Sequence, residues 1–117
     1  MSITRLLLSA ALALTSAPFA SAQDKPALER RGHALVAANC SRCHSIERTG
    51  NSPHREAPPF RNLSLRYPVD WLQEALAEGL STGHPDMPEF VFEVPEIDAI
   101  LAYLQSIQIK TDGPTHR

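Results

Sequence analysis

Cys40-Ser41-Arg42-Cys43-His44 sets two thiols and an imidazole side by side, and these are the only two cysteines of the 117-residue chain. The spacing is that of a haem-attachment site. The two sulfurs suit thioether bonds to the two vinyl groups of one porphyrin, and the next residue then lies beneath the iron as its proximal ligand. No other cysteine is left to pair with either thiol, which weakens a disulfide reading. A thioredoxin-like dithiol needs a βαβ pattern and a zinc site needs four placed ligands, and the sequence offers neither.

Toward the N-terminus, residues 27–39 read as a helix. Leu28, Gly32, Leu35, Val36 and Asn39 fall at i, i+4, i+7, i+8 and i+11, Pro26 sits where a helix can begin, and the last turn delivers Cys40. A glycine inside a helix costs about 1 kcal/mol against alanine, so Gly32 is expected to serve a close approach. Toward the C-terminus, Pro53, Pro58, Pro59 and Pro68 predict a mostly irregular stretch over residues 45–68 that wraps the porphyrin edge. A second helix is expected from Asp70 to Glu78, with Asp70 and Gln73 as a capping box and Gly79 closing it. After a loop from Ser81 to Val94, a last helix begins at Pro95. Glu96 and Asp98 lie toward its positive end, and Ile97, Ile100, Leu101, Leu104 and Ile107 form its buried face. No segment alternates like a strand, so the fold class is all-α.

The first 22 residues read as a cleaved signal peptide: Arg5, the apolar run Leu6 to Leu14, and the small-residue site Ala20-Ser21-Ala22. That run is short for a span, which needs roughly 20 apolar residues, so no stable membrane insertion is expected. Export from the cytosol is therefore expected. Residues 23–117 then form one domain, too small to bury a large core unaided but able to wrap a porphyrin. Residues 23–66 carry eight Lys/Arg against four acids, a net +4, whereas residues 67–117 carry two against nine, a net −7. A mature charge of −3 argues against a general nucleic-acid binder, and its uneven distribution either orients a partner or forms ordinary solvated faces.

Met87 is the only methionine beyond the signal peptide, and it stands in the proline-bounded stretch His84-Pro85-Asp86-Met87-Pro88. A soft, neutral thioether on the distal face favours ferrous iron and raises the potential relative to a second imidazole. Core filling is the ordinary use of a methionine, but Asp86 and Pro88 make poor core neighbours. His84 is the rival ligand, and an open distal position is the remaining alternative. His33, His54 and His116 are expected in solvent.

Together, the Cys40–His44 motif, Met87-Pro88 in a late loop and Ala102-Tyr103-Leu104 on the last helix resemble the small bacterial class I cytochromes c, over residues 26–109. The resemblance implies three to four helices wrapped around one covalently bound haem c, with the first and last helices crossing at Gly32 and Tyr103. It implies His44 and Met87 as axial ligands, and a backbone carbonyl from Pro58 or Pro59 orienting His44. It places Tyr67 and Trp71 at positions that reach a haem propionate, although both also read as core aromatics with a wet polar tip. Arg61 and Arg66 are candidates to neutralise propionates, and Phe60 and Phe90 to wall the pocket. The lysine ring of mitochondrial relatives is missing; Arg42, Arg48 and Arg55 are the candidates for the same steering. The function implied is a monomeric periplasmic carrier of single electrons between redox proteins, not an enzyme. The alternatives are an electron-transfer subunit of a larger oxidoreductase, or a haem peroxidase or gas-binding protein.

Overall fold

The computed structural model describes residues 24–79 and 84–110, and the proposed signal peptide and His116 lie outside them. Three α-helices carry the fold: α1 (Lys25–Asn39), α2 (Leu72–Glu78) and α3 (Val94–Ile107). Two 3₁₀ turns, Phe60–Leu65 and Val69–Trp71, lie between α1 and α2, and no strand occurs among the described residues. The all-α expectation therefore holds.

Helix α3 is the centre of the molecule. Its apolar residues recur on more than one side, so Ile97, Ala99, Ile100, Leu101, Tyr103, Leu104 and Ile107 are all buried. Fully burying an aliphatic side chain of this size contributes roughly 1.5–3 kcal/mol. Helix α1 buries only Gly32 and Val36, a narrow stripe laid on α3. The approach is close because residue 32 has no side chain. A Cβ there would stand 2.8 Å from Tyr103 Cβ and run into the carbonyl of Ala99. The sequence reading of Gly32 as a packing glycine is thus a steric fact of the α1–α3 crossing.

Several local expectations are corrected. The 45–68 segment is not wholly irregular: Phe60–Leu65 is a 3₁₀ turn that buries Leu63 against the core. Its register is set by Gln108, which accepts from Ser64 N–H (2.8 Å) and donates to Phe60 O (2.8 Å). Asp70 and Gln73 do not form a capping box. Helix α2 starts at Leu72 behind Trp71, with no side-chain cap, and Asp70 instead accepts from the Gln105 amide of α3. The capping box belongs to α3, where Glu93 N–H donates to Glu96 Oε2 (3.0 Å) and Glu93 in turn accepts from the Glu96 backbone. Asp98 lies beyond that first turn. Gly79 does close α2, with φ +103° and its N–H on Ala75 O (3.0 Å). Among the described residues no helix is long and apolar enough to cross a membrane.

Candidate haem site

The end of α1 builds the site. Cys40 N–H closes the helix on Val36 O (2.8 Å), and Cys40 O then accepts from both Cys43 N–H (3.2 Å) and His44 N–H (2.9 Å). This tight turn puts two free, half-buried thiols and the His44 ring on one short arc. Burial pushes the Cys40 thiol up to about 11, which keeps it protonated at neutral pH.

His44 is held from two sides. Its Nδ1–H donates to the carbonyl of Pro58 (2.8 Å), and the Phe60 ring lies tilted against the imidazole at a centroid distance of 4.4 Å. Of the two prolines that were candidates for this bond, Pro59 is otherwise engaged, since its carbonyl accepts from Asn62 N–H (3.0 Å). With the proton on Nδ1, Nε2 keeps its lone pair for a metal. Among the described residues no three His, Cys, Asp or Glu side chains converge as a metal cage. One oriented imidazole beside two thiols is the donor set that a porphyrin iron complements.

Met87 is half-buried in a turn whose N–H donates to His84 O (3.2 Å), and His84 is exposed. The segment is tied to the haem-motif side of the molecule. His54 N–H donates to Cys43 O (3.0 Å), and His54 Nε2 lies 3.4 Å from Asp86 Oδ2. His54 Nδ1 accepts from Glu56 N–H, so the proton sits on Nε2 and points at Asp86. His33 and His54, expected in solvent, do keep 44% and 37% of their side chains exposed, and both also meet carboxylates. His33 Nε2 donates to Glu47 (2.7 Å) while its ring meets Tyr103 edge-on at 5.0 Å.

The aromatic and basic candidates separate. Tyr67 is half-buried, packed on the core, whereas Trp71 is 72% exposed and so is not a core aromatic. Phe90 stacks on Phe92 at 6.0 Å, and Phe92, Leu72 and Leu76 add half-buried apolar surface. Arg66 is exposed, as are Arg42 and Arg55. Arg48, although exposed, donates to Ser106 O (2.6 Å) near the end of α3, which gives it a structural task besides any steering. Arg61 donates to Ser45 Oγ (3.2 Å). Ser45 and Gln108 were not singled out from sequence. Ser45 had adjacency to His44 as a signal; Gln108 had none, because the Phe60 and Ser64 backbone groups it holds lie more than 40 residues away.

The cytochrome c family model matches residues 29–108, which includes the haem motif, the Pro58 carbonyl, Met87 and the whole of α3. The chain belongs to the cytochrome c family. Among curated proteins and solved structures, no significant match is found. Cytochrome c membership implies haem c, whose attachment motif Cys40 and Cys43 fit, and haem-based electron transfer with redox partner proteins. The class I architecture expected from sequence is the one observed: a glycine-mediated crossing of the first and last helices next to the attachment motif.

Proposed function

We propose that this chain is a periplasmic, monomeric cytochrome c with one haem, carrying single electrons between redox proteins and catalysing no reaction of its own. The observation that carries the reading is the His44 Nδ1–Pro58 bond of 2.8 Å beside the two thiols, which orients a nitrogen ligand. When bound, the haem supplies the one-electron couple of its iron. Cys40 and Cys43 would hold the porphyrin covalently, and His44 Nε2 and the Met87 sulfur would be the ligands that the chain offers its iron. Pro58 keeps the imidazole in one tautomer, and Phe60 keeps its ring from turning. Leu72, Leu76 and Phe92, half-buried against the core, would give the porphyrin apolar surface to pack on. Residues 1–22 direct export, where thioether attachment outside the cytosol is expected.

The test uses the matured, purified protein. Haem and protein assays should give one covalent haem per chain, and the reduced protein should refuse carbon monoxide, because His44 and Met87 would leave the iron no open position. Prompt carbon monoxide binding would replace the carrier by a peroxidase or gas-binding protein with an open distal site.

A further inference from the structure

Ser45 follows His44 directly and is the one polar residue buried among the described residues, at 8% exposure. All of its polar groups are used. Its N–H donates to Ser52 Oγ (3.0 Å), its carbonyl accepts from Phe60 N–H (2.9 Å), and its hydroxyl donates to Thr49 O (3.3 Å). The hydroxyl oxygen also accepts from Arg61 Nη1 (3.2 Å). These bonds lay the Pro58–Arg61 segment alongside His44-Ser45, which is what brings the Pro58 carbonyl and the Phe60 ring onto the imidazole.

Arg61 itself is half-buried and its backbone is fixed. Its carbonyl accepts from Ile109 N–H (3.0 Å), and the preceding carbonyl, of Phe60, accepts from Gln108 (2.8 Å). Lys25, His33 and His54 each face a carboxylate, whereas no carboxylate among the described residues lies within ion-pair distance of Arg61. Its side-chain partner is a neutral hydroxyl, which holds the guanidinium beside Ser45, the residue next to His44.

We propose that Arg61, seated on Ser45 behind the proximal histidine, is a positioning charge that raises the reduction potential of the haem. The inference rests on the haem reading above. Reduction adds one electron to the ferric centre and lowers its charge by one, with no other bond changed. A nearby fixed cation repels the ferric form more than the ferrous form, and partial burial limits screening by salt.

Potentiometric titration of the holoprotein decides it, with Arg61→Lys, Arg61→Gln and Arg61→Met compared with the unaltered chain. At the potential where the unaltered protein is half reduced, both neutral variants should show at least a threefold lower ferrous-to-ferric ratio. That corresponds to about 28 mV at 59 mV per tenfold. Arg61→Lys should stay near the unaltered value, and the shift should persist at high salt. Two neutral variants of different shape guard against one failing to mature. An unchanged ratio in the neutral variants overturns the proposal, as does an equal fall in Arg61→Lys, which would make the effect one of packing. Failure of the haem reading is seen separately, as an unaltered chain that carries no covalent haem, and it takes this proposal with it.

Discussion

Tyr103 has a single hydroxyl, and that hydroxyl ties α3 to the loop just after the haem motif. It donates to Ile46 O (2.7 Å), with the Glu47 carboxylate at 3.3 Å. Burial, reinforced by Glu47, pushes the phenol from 10.0 to about 12. A group whose proton is held more tightly in the fold adds stability that is complete below pH 10 and is lost as the pH rises through about 12. Tyr103→Phe should therefore unfold more easily at neutral pH, by about 1 kcal/mol for a lost buried hydrogen bond, and should lack this part of the alkaline decline. Melting curves taken from pH 7 to 12 check both; parallel curves for the two proteins would refute the coupling. At this scale sequence is uneven. The haem motif was legible because its chemistry is packed into adjacent residues. The partners of Tyr103, His33 and His54 were not, since each lies on a segment that only the fold brings near.

Helix positions were read well where one face is apolar, and poorly where a cap or a turn depends on a distant partner. The buried face of α3 and the closing glycine of α2 were legible from spacing alone. The supposed Asp70–Gln73 box was a local pattern overridden by tertiary structure, because Asp70 turns to Gln105 instead. The 3₁₀ turn at Phe60–Leu65 is held by Gln108, and propensity cannot see that. The tightest test of an element belongs to the α1–α3 crossing. Gly32→Ala places a methyl group against the Ala99 carbonyl, a backbone atom that cannot swing aside. Overpacking of this kind costs about 1–3 kcal/mol. Denaturant unfolding of the holoprotein should show that loss; full stability in Gly32→Ala would mean the helices do not cross there as described.

For the molecule as a whole, charge is divided along the chain, net +4 over residues 23–66 and net −7 beyond. Arg42 and Arg55 are exposed and near the motif in sequence, whereas Arg48 is bound to Ser106 O and would confound a steering experiment. Replacing Arg42 and Arg55 by Glu should slow oxidation of the ferrous protein by ferricyanide, an anion, several-fold at low salt. The difference should shrink as ionic strength rises, because exposed charges are screened over a Debye length of roughly 8–10 Å. Equal rates at low salt would show that electrons leave far from this basic half. Beyond docking, everything depends on an iron gripped by His44 and Met87. The absorption spectrum of the matured ferric protein, with and without Met87→Ala, decides whether it is. The weak charge-transfer band of a thioether-bound ferric haem should be present in the unaltered chain and absent from Met87→Ala. A spectrum left unchanged by that substitution would contradict methionine ligation and require another group on the distal face.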